Sequence, residues 1–126
     1  MHADPLTRLR LGRKRRVTQN RDFMRVRQQG QRVVNGCLIA NWQALPEGAG
    51  PKLGVVTSKK IGNAVARSRA RRLLRESFRR HQHELAKPVE LVLVARPSIA
   101  GRDFAQVEKD FLTTLRRAGL LKISNS

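Results

Sequence analysis

The sequence predicts an α+β fold of order αβββαβα, a four-stranded mixed sheet packed with helices. Three observations carry that expectation. An Asn35-Gly36 turn dipeptide separates two apolar runs, VELVLVA at 89–95 is apolar at every position but Glu90, and two long segments repeat apolar residues at helical spacing. A length of 126 residues suits one domain with a modest core. We divide the chain into a basic arm over 1–17, a domain over 18–120 and a tail over 121–126.

The arm holds Pro5, Gly12 and six basic residues with almost no apolar periodicity, the composition of an extended segment that orders on binding. Thr18 is a good N-cap, Phe23 and Val26 share a face, and Gly30 suits C′, so a first helix is expected over 19–29. The spacing of Phe23 and Val26 also suits packing of that helix onto a sheet. Strands are expected at 31–34 and 37–44, because Asn-Gly accepts the positive φ that a type I′ turn needs at both central residues. Pro46, Gly48, Gly50 and Pro51 mark a loop, and KLGVVTS gives a third strand near 52–58. The three consecutive strands are expected to be antiparallel.

A long helix is expected from the N-cap Asn63 to about His83, stopped by Pro88. Its inner arc holds Ala66, Ala70, Leu73, Leu74 and Ser77, with Phe78 at the edge. Ser68, Arg72, Arg75 and Arg79 lie opposite, with Arg71 beside them and Arg67 and Arg69 on the shoulders. This makes a basic ridge roughly 16 Å long. Because VELVLVA lacks alternation, it reads as a strand buried on both faces. The last helix starts at the N-cap Asp103, aligns Phe104, Val107, Phe111, Leu115 and Ala118, and ends at Gly119.

Charge narrows the function. There are 27 Lys and Arg against 9 Asp and Glu, a formal net charge of +18, and nine of the basic residues fall between Lys59 and Arg80 with Glu76 as the lone acid there. Seven of those nine are arginines. Ordinary solvated helices mix both signs, so repulsion on this scale calls for a polyanion, and RNA is the polyanion expected. Guanidinium groups fork phosphate oxygens and stack on exposed bases, which favours Arg over Lys for structured RNA. Few Asn or Gln accompany the arginines, which argues against base reading in a DNA major groove.

Other classes find little support. No apolar stretch approaches the roughly 20 residues of a membrane span, and no secretory signal is seen, so a cytoplasmic protein is expected. The Arg-rich segment 8–16 has the composition of a transit peptide or a nuclear localisation signal, yet it runs directly into domain-like sequence. Cys37 is alone, so no internal disulfide forms, and it reads as a small buried thiol. His81 and His83 lie on different helix faces, and no metal site is expected. No nucleophile with its base and no carboxylate pair stands out, so the reacting groups of any reaction are expected in a partner. Glu76 is expected to pair with Arg72 or Arg80.

The stretch from Lys59 to Arg80 resembles the signature of the bacterial ribonuclease P protein subunit, K-K-x-G-x-A-x-x-R-N-R-x-x-R-x-x-R-E-x-F-R. Lys59, Lys60, Gly62, Ala64, Arg67, Arg69, Arg72, Arg75, Glu76, Phe78 and Arg79 match it. Thr18–Gly30, LGVVTSKK and VELVLVARP are similar to further family segments, so the resemblance spans roughly residues 12–118. Two positions depart from it: Ser68 replaces the Asn of R-N-R, and Arg27 stands where a second aromatic is usual.

The resemblance implies a protein that assists removal of the 5′ leader from precursor tRNA, with catalysis by a large RNA subunit and its Mg²⁺ ions. No cofactor bound by the protein alone and no obligate protein partner are implied. It places Lys59, Lys60, Arg67, Ser68, Arg69, Arg72 and Arg75 against the catalytic RNA, and we add the neighbouring Arg71 and Arg79. Phe23 and Arg27 would line a cleft for the leader, while Arg13, Lys14, Arg15 and Arg16 in the arm would add RNA contacts. The resemblance further implies a left-handed βαβ crossover, which roughly 98% of such connections avoid and which no local pattern would suggest. A ribosomal or RNA-chaperone protein binding structured RNA is the alternative function.

Overall fold

The computed structural model describes residues 20–122, with side chains from Met24 onward. The arm, Thr18, the side chain of Phe23 and the contacts expected of Arg13, Lys14, Arg15 and Arg16 lie outside the described residues. Helix α1 spans Asn20–Gln29, and strands β1 and β2 span Gln31–Asn35 and Leu38–Ala44. Strand β3 (Lys52–Val56) leads through a 3-10 turn at Lys59–Ile61 into helix α2 (Ala64–His81). A second such turn at Gln82–Glu84, strand β4 (Val89–Ala95), a third at Pro97–Ile99 and helix α3 (Phe104–Arg117) complete the order.

The sheet order is β1-β2-β4-β3. Strands β1 and β2 pair antiparallel as expected, but β3 does not pair with β2. It pairs in parallel with β4, which lies between them and is antiparallel to β2. The reason is in the residues of β4, whose apolar side chains on both faces need cover on both sides. An edge position would leave one flank of this apolar strand and its backbone groups unpaired, so β4 takes the interior and α2 becomes the crossover between two parallel neighbours.

Register gives the sheet two different faces. Leu38, Ala40, Leu91, Leu93 and Leu53 face one way and join Ala70, Leu74 and Phe78 of α2 and Val107, Phe111 and Leu115 of α3 in the main core. Ile39, Asn41, Gln43, Glu90, Val92 and Val94 alternate onto the other face. There Val26 of α1 packs on Val92, with Val56 and Val94 partly buried beside them.

The first hairpin turns one residue later than Asn35-Gly36 suggests. Asn35 pairs with Leu38, so Gly36 and Cys37 are the central residues, and only Gly36 has positive φ, 56°. That is the pattern of a type II′ turn. Tertiary contacts fix it: the Asp110 carboxylate of α3 accepts the Cys37 backbone N–H at 3.0 Å, and Asn35 Nδ2 donates to the Asp110 carbonyl at 3.3 Å. Cys37 is fully buried, and burial together with the Asp110 carboxylate pushes its thiol pKa up to about 12. Gly30 also serves a purpose other than the one its position suggests. Its φ is not positive, and a Cβ there would sit 2.3 Å from the Trp42 carbonyl, so glycine is needed for close approach of α1 to β2.

Helix caps follow the sequence. Asn63 Oδ1 accepts from the Ala66 N–H at 2.9 Å, and Asp103 forms a capping box with Gln106. Helix α2 ends at His81, two residues short of the expected end. There the His81 ring bonds Glu84 through Nδ1 and Glu108 of α3 through Nε2, the latter at 2.8 Å. Leu121 and Lys122 are not free of the domain: Leu121 bridges to Leu85, and the Lys122 N–H donates to the Glu84 carbonyl at 2.8 Å.

Truncating the fully buried Phe78 to Ala should cost about 3–5 kcal/mol of unfolding free energy, measured by urea denaturation. Burial opposes a charge on His81, but the Glu108 and Glu84 carboxylates outweigh it and raise its pKa above the ordinary 6.5. The folded state therefore holds this proton more tightly than the unfolded chain. The clasp's contribution is fully present below about pH 6.5 and is lost as pH rises through the raised value. Urea midpoints between pH 6 and 9 should show a decline in the parent protein that is absent from the same curve for His81→Gln.

Candidate nucleic-acid interface

The ridge begins where β3 leaves the sheet. Ser58 Oγ accepts from the Lys60 N–H, closing the 3-10 turn that presents Lys59 and Lys60 to solvent while burying Ile61. The cap at Asn63 then starts α2, whose inner face docks on the main core. The outward face is basic but not uniformly available. Arg67 donates to the Gly62 carbonyl at 2.7 Å and folds back over the entry turn. Arg69 donates to the Arg102 carbonyl at 2.6 Å, tying α2 to the segment before α3.

Arg71 reaches Thr57 Oγ1 at 2.7 Å and Ser68 Oγ at 3.1 Å, which braces the helix against the end of β3. The short Ser68 side chain is thus itself a partner for an arginine. Arg79 forks Glu76 through Nε and a terminal nitrogen, at 2.7 and 2.6 Å, and Arg80 adds a contact at 3.0 Å. Glu76 therefore pairs with Arg80, as expected, and with Arg79, but not with Arg72. The Arg79 hydrogen bonds lead in holding the Glu76 carboxyl down at about 2. Arg80 also lies over the Phe104 ring, 4.7 Å from its centroid. Arg75 is half-buried. Lys59, Lys60 and Arg72 are exposed, and their side chains bond none of the described residues, so they offer charge to a ligand without first breaking an internal contact.

A second feature lies on the opposite face of the sheet. Met24, Arg27 and Gln28 of α1, Arg32 of β1, Ile39 and Asn41 of β2, and Val94 of β4 line a groove of about 400 Å³. Ile39 and Val94 give its floor an apolar part, Arg27 and Arg32 are exposed at its rim, and Gln28 and Asn41 supply amides. Cations beside a partly apolar floor suit a single strand, whose phosphates and bases need different surfaces. Sequence reasoning found Arg27 but missed Arg32, Asn41 and Val94. The available signal was Asn41, a polar residue in the middle of the apolar strand LIANWQA and only 4% exposed.

The ribonuclease P family model matches residues 11–119. The chain belongs to the ribonuclease P protein family. Among curated relatives, the ribonuclease P protein component of Brevibacillus brevis is 34% identical over 111 residues, covering 87% of each chain. That of Gluconacetobacter diazotrophicus is 35% identical over 109 residues, covering 86% of this chain and 94% of the relative. The Staphylococcus aureus RNase P protein superposes with a TM-score of 0.78 at 27% identity, over 86% of this chain and 98% of that one. The Thermotoga maritima RNase P protein gives 0.71 at 27% identity, over 81% and 96%. The four-stranded mixed sheet with its helices is therefore the family fold.

No helix among the described residues is long and apolar enough to cross a membrane. Within the same residues, no group of three or more His, Cys, Asp and Glu side chains is arranged to hold a metal ion.

If the ridge is a defined site, Arg72→Glu should weaken binding of structured RNA far more than Arg116→Glu on α3, with both measured by filter binding across a salt series. A site making about six phosphate contacts should itself lose on the order of a thousandfold in affinity between low and moderately high salt. Equal losses from the two reversals would mean diffuse charge attraction.

Proposed function

We propose that this chain, the protein component of a ribonucleoprotein endoribonuclease that matures the 5′ end of tRNA, binds two RNA elements on opposite faces of its sheet. The observation that carries this reading is the placement of ridge and groove. Lys59, Lys60 and Arg72 project from the α2 side, while Arg27 and Arg32 flank the groove on the α1 side. The ridge engages the catalytic RNA subunit, with Arg67, Arg69, Arg71, Arg75 and Arg79 shaping the helix and its entry turn as well as adding positive potential. The groove takes the single-stranded leader of precursor tRNA, as its mixed floor of Ile39, Val94 and the Asn41 amide and its cationic rim suit.

In this scheme the protein supplies affinity and charge screening. Hydrolysis belongs to the RNA subunit and the Mg²⁺ ions it gathers. Positive potential beside the RNA lowers the Mg²⁺ concentration at which phosphates can be brought together. The family membership favours this role over that of a ribosomal or RNA-chaperone protein, and the compartment implied is the cytoplasm.

Reconstitution with the cognate RNA at low Mg²⁺ tests the proposal, using precursor tRNA with and without a leader. The protein should raise affinity for the leader-bearing substrate and leave the leaderless one nearly unchanged. An equal effect on both substrates would remove the groove from the mechanism.

A further inference from the structure

One wall of the groove is helix α1, whose described side chains, from Met24 onward, supply little apolar packing on the sheet. Helix α1 buries Val26 against Val92, while Met24 is half exposed and Arg27, Gln28 and Gln29 face solvent. A ten-residue helix is marginal alone, so its orientation needs other anchors. One is the close approach of Gly30 to the Trp42 carbonyl at its C-terminal end. The other is polar. Glu90 of β4 is only 2% exposed, lies on the groove-side face of the sheet, and receives Arg25 of α1 at 2.7 and 2.9 Å. The same guanidinium donates to Gln43 Oε1 of β2 at 2.9 Å. A rigid fork that reaches two strands from one helix fixes direction as well as distance.

We propose that Arg25 and Glu90 are positioning residues for the leader: their ion pair sets the orientation of α1, and with it the spacing between the Arg27 wall and the Ile39–Asn41–Val94 floor. Neither residue lines the groove. The inference rests on the groove being the leader site. Burying the Glu90 carboxylate is an expensive way to hold a helix even with Arg25 38% exposed, because replacing an ion pair with a buried member by apolar residues is often neutral or stabilising. Directional control of α1 gives the pair a purpose that stability alone does not.

That contrast supplies the test. Removing one partner, as in Arg25→Met, strands a buried charge and should lower the thermal midpoint, whereas the double variant Arg25→Met/Glu90→Leu should recover it. With the holoenzyme reconstituted from its own RNA, the recovered double variant should bind the RNA subunit as the parent does. Its affinity advantage for leader-bearing over leaderless precursor should nevertheless collapse to near unity. Arg25→Lys, which keeps the charge but not the fork, should fold and keep only part of the advantage, so it serves if the double variant does not fold. A full leader advantage in either folded variant would overturn the proposal. If the parent itself shows no advantage, the groove assignment falls and this inference with it.

Discussion

Strand β4 lies between β2 and β3 with side chains buried on both faces, and the other elements take their places from that burial. An apolar strand of this kind cannot sit at an edge without leaving backbone groups unpaired, or face water on one side without losing a large part of its hydrophobic stabilisation, roughly 25 cal/mol for each Å² left exposed. It therefore recruits β2 on one flank and β3 on the other, α2 and α3 over one face, and α1 over part of the second. The remainder of that second face beside α1, floored by Ile39, Asn41 and Val94, is the groove. Core and candidate binding site are in this sense two consequences of one strand.

The arginine helix shows how a charge cluster is divided between structure and recognition. Arg67, Arg69 and Arg71 satisfy backbone or hydroxyl acceptors around the start of α2, and Arg79 is held by Glu76. These contacts fix the entry turn, so that Lys59 and Lys60 stand at a defined position relative to Arg72. A solvated guanidinium gains little from an exposed ion pair, yet one that donates to a fixed carbonyl loses conformational freedom before any ligand arrives. Preorganisation of this kind lowers the cost of binding an RNA surface. Replacing the family's Asn by Ser68 fits the same pattern, since its hydroxyl accepts from Arg71.

Much of the fold was legible locally. Asn63 and Asp103 announce their helices because an N-cap is a short-range bond between neighbours, and the doubly buried character of β4 is written in seven consecutive residues. The hairpin register was not legible in the same way: Asn35-Gly36 has the better intrinsic turn propensity, but Asp110, more than 70 residues away, bonds the Gly36-Cys37 alternative into place. The ridge was legible as a set of residues, but which members are available to a ligand was not. Partners such as Thr57 and the Arg102 carbonyl come from other elements.

By itself the sequence determined the α+β class, the helix starts and the inner and outer faces of α2, and through the resemblance of Lys59–Arg80 it pointed to the family, with RNA as the polyanion its charge calls for. These are properties of periodicity and nearest neighbours, which a linear pattern records. Only the tertiary structure decided that β4 separates β3 from β2, that α1 is oriented by an ion pair spanning 65 residues of chain, and that ridge and groove lie on opposite faces of one sheet. Each of these depends on which distant segments share buried surface, and the energy of that choice is distributed over the whole core.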